Sequence, residues 1–99
     1  MPLTGKQRRH LRGLGHHLEP VVIVGQSGVT EGVIAAVEQA LHDHELIKVK
    51  INEGPEDRHE AAKKLAEGTG SELAQLLGRT ALLFKKRDED SQFEKLEKI

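Results

Sequence analysis

Gly25-Gln26-Ser27-Gly28 closes the apolar run Val21–Val24 and leads at once into Thr30-Glu31, a helix-start signature. Glycine carries no Cβ, so such a turn either needs a positive φ or admits close approach of a bulky partner to the backbone. The helix behind it offers unpaired N–H groups and the positive end of its dipole, which suit an anion. Residues 1–18 hold no acidic side chain, yet Lys6, Arg8, Arg9 and Arg12 crowd one short segment. Surface charge is ordinarily a solvated helix face, but a run without acidic partners favours phosphate contact. The residues that could carry this chemistry are Lys6, Arg8, Arg9, Arg12, Gly25, Gln26, Ser27, Gly28 and Thr30. They read as a nucleic-acid surface.

Other chemistries lack their residues. Ser27 is not a nucleophile elbow, because Val29 stands where that motif needs glycine. No Gly-Lys-Ser/Thr phosphate loop occurs. The carboxylates fall in exposed helical contexts, with no shielded pair of differing pKa. His42-Asp43-His44 raises a metal site, but no recognised ligand spacing accompanies it. The chain therefore reads as a non-enzyme with no catalytic residue, metal, cofactor or small-molecule substrate. His10, His16 and His17 could stack on bases or bond phosphate, although surface histidines usually do neither. Lys48 and Lys50 read equally as solubilising one sheet face or as part of the site. Lys85, Lys86 and Arg87 read as a solvated strand end able to extend it, and Arg79 as fixing a hairpin.

With 99 residues and 36% hydrophobic side chains, the chain suits one compact domain with a modest core. It has no cysteine, so neither disulfides nor thiolate metal sites are available. No apolar run approaches the roughly 20 residues of a membrane span, and the N-terminus has no apolar signal core. A cytoplasmic protein without membrane contact is expected. The net charge of −1 argues against coating nucleic acid by bulk charge. Its distribution is uneven: residues 88–99 carry five acids against two lysines, leaving residues 1–87 slightly basic. The expected organisation is a domain over residues 1–87 and a charged tail over 88–99.

The elements that must position these residues follow from local pattern. Thr4 with Gln7 predicts a capping box for a first helix, with Leu11, Leu14 and Leu18 as its apolar stripe. Gly13 and Gly15 weaken that helix and Pro20 ends it. Val21–Val24 reads as a strand buried on both faces. Thr30 caps a second helix burying Val33, Ile34, Val37 and Leu41, with Val29 stapled to Ile34. Leu46–Ile51 alternates cleanly as a strand. A turn at Asn52–Pro55 precedes a third helix over Glu56–Gly68. Ser71–Leu77 suits helix or strand; the flanking Gly70 and Gly78 and its short length favour strand. Gly78-Arg79 then links it to a buried strand within Thr80–Lys85. Two right-handed crossovers would place helices two and three on one face, leaving the first helix or the tail to cover part of the other.

The ordered motifs Leu3-Thr4-Gly5-Lys6-Gln7-Arg8-Arg9 with Leu11-Arg12, Gly25-Gln26-Ser27-Gly28-Val29-Thr30, and Thr69-Gly70…Gly78-Arg79-Thr80 resemble the CRM-domain family, in its stand-alone bacterial YhbY-like form. The resemblance spans about residues 2–87. It implies an α+β (α/β) single two-layer domain, order α-β-α-β-α-β-β, with a four-stranded mixed sheet similar to the C-terminal domain of translation initiation factor three. It also implies an RNA-binding module associated with precursors of the large ribosomal subunit, contacting RNA through the Gly-x-x-Gly loop and nearby basic surface. Gln26 and Ser27 stand where family loops often hold a lysine, so contact here would rest on amides and hydrogen bonds. With two phenylalanines and no other aromatic, base stacking is largely missing, and recognition by shape and backbone with weak sequence preference is expected. The expected partner is ribosomal RNA, bound by a monomer. A protein-interaction adaptor on the ribosome without RNA contact is the alternative.

Overall fold

The computed structural model describes residues 3–52 and 57–99. The expected turn at Asn52–Pro55 lies, beyond Asn52, outside the described residues, as does Glu56.

Helix α1 (Gly5–Gly15) opens with the expected capping box: the Gln7 N–H donates to the Thr4 hydroxyl oxygen at 3.1 Å, and the Thr4 N–H donates to Gln7 Oε1 at 2.9 Å. Its buried stripe is Gln7, Leu11 and Gly15, whereas Leu14 is 43% exposed. Of the expected Leu11–Leu14–Leu18 stripe, Leu11 is buried and Leu18 packs half-buried against the same cluster; only Leu14 is corrected, with Gly15 buried in its stead. A Cβ on Gly15 would meet the Leu82 methyls at 2.9 Å, so any larger residue there requires the buried Leu82 side chain to shift. That contact turns the seam toward Gln7, whose side-chain amide donates to the Leu96 carbonyl at 3.2 Å.

The remaining elements are β1 (Pro20–Val24), α2 (Glu31–His44), β2 (Leu46–Ile51), α3 (Arg58–Thr69), β3 (Glu72–Leu77), β4 (Thr80–Phe84) and a 3-10 turn over Glu94–Lys98. The sheet order is β1-β2-β4-β3, with β1 parallel to β2 and β4 antiparallel to both its neighbours. The expected α+β element order and mixed sheet are thus present. Gly78 takes a left-handed φ of 59° and folds β4 back beside β3, so β4 occupies the place between β2 and β3.

Helices α2 and α3 cover one face through Val37, Leu41, Ala61, Ala62 and Leu65, packed on Val24, Ile47, Val49, Ile51, Ala81 and Leu83. Thr30 and Asp57 cap them, accepting from the Val33 and Glu60 N–H groups. The other face carries a smaller cluster, Leu3, Leu11, Leu46, Ala74, Leu82, Phe84 and Leu96, built by α1 and the C-terminal segment.

That second cover is incomplete, and it corrects the reading of β1. Val24 is buried, but Val21 and Ile23 are 52% and 58% exposed. β1 is an edge strand, and α1 lies over β2 and β3 instead. Among the described residues, no helix therefore lies above the far face of β1.

Candidate nucleic-acid interface

The Gly25–Gly28 turn stands just beyond the C-terminal end of β1. The Gly28 N–H donates to the Gly25 carbonyl at 3.0 Å and closes it. The two glycines differ in kind. Gly28 is buried with φ at 75°, a conformation that disfavours any Cβ. Gly25 has no left-handed φ, and a Cβ there would meet nothing within 4 Å. The fold itself thus demands glycine at Gly28 and leaves Gly25 without an internal reason.

Gln26 and Ser27 project between them, both exposed. The Thr30 side chain accepts from the Val33 N–H at 3.2 Å, and its carbonyl accepts from Ile34 at 3.0 Å, so part of the α2 terminus is satisfied internally. Glu31 is exposed in the first turn and competes with any other anion for the dipole. The case for anion contact moves from the helix start to the turn.

On α1, Lys6, Arg9 and Arg12 are exposed, and their side chains make no hydrogen bond or ion pair among the described residues. Arg8 differs: its guanidinium donates to the Leu73 carbonyl of β3, so this one of the four partly holds the fold. The loop leads into α2 and α1 lies on the opposite face of the sheet. Between them is the uncovered end of that second face, where Lys48 is half-buried and Lys50 exposed.

Two cations expected on a solvated strand end have structural work. Lys85 Nζ donates to the Thr69 carbonyl at 2.8 Å, at the C-terminus of α3. Arg87 donates to the His42 and Asp43 carbonyls at 2.8 and 3.2 Å, at the C-terminus of α2. Both place positive charge at the negative end of a helix dipole. The Thr69-Gly70 motif is likewise architectural. Thr69 Oγ1 donates to the Leu65 carbonyl at 2.6 Å, and Gly70, at φ 67°, ends α3.

Sequence reasoning missed Glu45. It joins α2 to β2 with no loop, is fully buried, and takes φ at 65°, where glycine or asparagine would be the ordinary choice. Its carboxylate accepts from the Arg87 N–H at 2.9 Å, Ser91 Oγ at 2.6 Å and the Gln92 N–H at 2.7 Å, and pairs with the Arg87 guanidinium at 3.4 Å. Burial pushes this carboxyl up. The hydrogen bonds from Ser91, Arg87 and Gln92, with the Arg87 charge, outweigh that and hold it below its ordinary value. The placement of all carboxylates in exposed helical contexts is corrected here. The only sequence signal is a charged residue at the helix–strand junction, and its partners lie more than forty residues away.

Both aromatic rings are also engaged. Phe84 is buried, and Phe93 meets it edge-on with centroids 5.1 Å apart at 76°. Among the described residues no three His, Asp or Glu side chains converge as metal ligands, and no helix is long and apolar enough to cross a membrane.

Fold and turn together define a class: a small α+β domain with a mixed sheet and a Gly-x-x-Gly turn ending its edge strand. Residues 3–85 match the CRS1/YhbY (CRM) domain, and the chain belongs to that family. It is 45% identical to the probable RNA-binding protein PA4753 of Pseudomonas aeruginosa, covering 87% of this chain and 84% of the relative. It is 42% identical to the probable RNA-binding protein YqeI of Bacillus subtilis, over 93% of this chain and 97% of that one. Among solved structures it resembles SAV1595 of Staphylococcus aureus, described as a candidate RNA-binding protein. The TM-score is 0.77 at 37% identity, covering 90% of this chain and 94% of that chain.

Proposed function

We propose that this protein binds RNA without catalysing a reaction, as a cytoplasmic, monomeric assembly factor for the large ribosomal subunit with precursor ribosomal RNA as its ligand. Residues 1–87 carry the RNA-contacting groups, and residues 88–99 pack back on them through Ser91, Gln92, Phe93 and Leu96. The observation that carries the reading is the division among the cations. Lys85 and Arg87 are held at helix ends, while Lys6, Arg9 and Arg12 stand exposed with no partner among the described residues. The family's members named for RNA binding support it.

In this reading the α1 cations steer and orient the sugar–phosphate chain. The backbone comes close at Gly25, where no Cβ intervenes, and Gln26, Ser27 and Thr30 supply hydrogen bonds as a KH-type loop does. With Phe84 buried and Phe93 half-buried against it, aromatic stacking is scarce and sequence preference is weak. The log of affinity should fall with log salt at a slope between about −2 and −3, as three neutralised phosphates require. Gly25→Ala should weaken binding while leaving the melting temperature unchanged. A flat salt profile, or a Gly25→Ala variant that binds as well as the parent, would remove the loop-and-helix site. Co-sedimentation with ribosomal particles that survives nuclease would identify a protein adaptor instead.

A further inference from the structure

The strand registers align one row of residues across the uncovered end of the sheet: Ile23 opposite Lys50, Lys50 opposite Thr80, and Thr80 opposite Leu77. Cross-strand partners share a face, and this row lies opposite α2 and α3, since Val49 and Ile51 point the other way into their core. Four strands make it about 14 Å wide. Ile23 and Leu77 are 58% and 63% exposed, the two most exposed large apolar side chains among the described residues. Lys50 stands between them, with Lys48 one pleat further along β2, and neither has a partner among the described residues. One end of the row adjoins the Gly25–Gly28 turn. The other ends at Leu77 on β3, four residues along the strand from the Leu73 carbonyl that Arg8 of α1 bonds.

We propose that this row receives unpaired nucleotides of the bound RNA, so that the ligand is a strand or loop rather than a continuous duplex. The inference rests on the RNA-binding reading and adds which form of RNA is chosen. A duplex turns phosphates and 2′-hydroxyls outward and hides its base faces in the stack. Laid on this row it would bring charged oxygens onto Ile23 and Leu77. Unpaired nucleotides offer what the row matches: base and ribose faces for the aliphatic groups, phosphates for Lys48 and Lys50, and hydroxyls for Thr80. A protein partner fits less well, because interface cores are depleted of charge and two lysines lie along the middle strand of this surface.

Fluorescence anisotropy on the full chain decides it, using a labelled 12-nucleotide mixed-sequence single strand and the same strand annealed to its complement. The single strand should bind at least about tenfold more tightly. An Ile23→Ser/Leu77→Ser variant should lose about tenfold toward the single strand and less than twofold toward the duplex. Its melting temperature should be unchanged, since both side chains are largely exposed. Equal binding of both RNAs, or a double variant that binds the single strand as the parent does, overturns this inference and leaves RNA binding standing. Binding of neither RNA overturns both. A parent that sediments as a dimer and is split by Ile23→Ser would make the row a contact between copies, and would also overturn it.

Discussion

The two ends of the sheet treat charge in opposite ways. At one end Glu45, Lys85 and Arg87 are buried or tied into helix termini, and the C-terminal segment closes over them through Ser91, Gln92, Phe93 and Leu96. At the other end Lys50 stands uncovered beside Ile23 and the Gly25–Gly28 turn. Lys6, Arg9 and Arg12, on α1, are likewise exposed. Nothing in residue type separates these groups; all are ordinary charged side chains. What separates them is whether the fold supplies a partner. A cation the fold leaves unpartnered is the one available to a ligand.

The contrast can be broken most forcefully at Glu45. Glu45→Ala leaves the Ser91 hydroxyl and two N–H groups without their acceptor and Arg87 without its counter-charge, so about 3 kcal/mol of stability should be lost. That lowers the melting temperature by at least about 12 °C, and calorimetry should find affinity of the folded fraction for RNA unaltered. If the variant melts with the parent, the closed end is not held by this carboxylate.

Next in size, Lys6→Glu/Arg9→Glu/Arg12→Glu should reduce RNA affinity at least about a hundredfold, or roughly 2.7 kcal/mol. Stability should move by less than about 0.5 kcal/mol, as for surface sites generally. Destabilisation on the scale of Glu45→Ala would place these cations in the same structural class and erase the distinction.

Gly15→Ala sharpens the comparison on a smaller scale. Its new methyl meets Leu82 at 2.9 Å, so about 1–2 kcal/mol should be lost in denaturant unfolding. Gly25→Ala, which meets nothing, should cost no comparable amount.

The smallest effect is the pH dependence. Because the folded Glu45 carboxyl lies below its ordinary value of 4.5, its contribution is fully present above that value. It fades as pH falls through the lower folded value. The melting temperatures of parent and Glu45→Gln should therefore converge on acidification below about pH 4. A gap between them that is constant down to pH 2 would contradict the assigned hydrogen bonds.

Much of the architecture is legible locally because caps and strand alternation are short-range. Thr4, Gln7 and Thr30 lie within three residues of the groups they bond. Ile47, Val49 and Ile51 alternate with Lys48 and Lys50, and all three are buried. The reading fails where a distant element decides. A run such as Val21–Val24 looks the same whether its second face is covered, and α1 does not cover it. Leu14 has the right spacing for a core stripe, yet Gly15 sets the seam. The candidate site divides in the same manner. The basic run and the Gly-x-x-Gly turn are visible as composition, whereas the row formed by Ile23, Lys50, Thr80 and Leu77 joins residues from four strands.

The linear order of residues determined the helices, the strands, their caps and the concentration of cations near the N-terminus, since each depends on neighbours a few positions apart. Only the tertiary structure decided which charges are neutralised, which face of β1 meets solvent, and that Gly28 and Gly25 have different reasons to be glycine. Those outcomes depend on what lies above a side chain in space, and the groups that lie there come from distant parts of the chain.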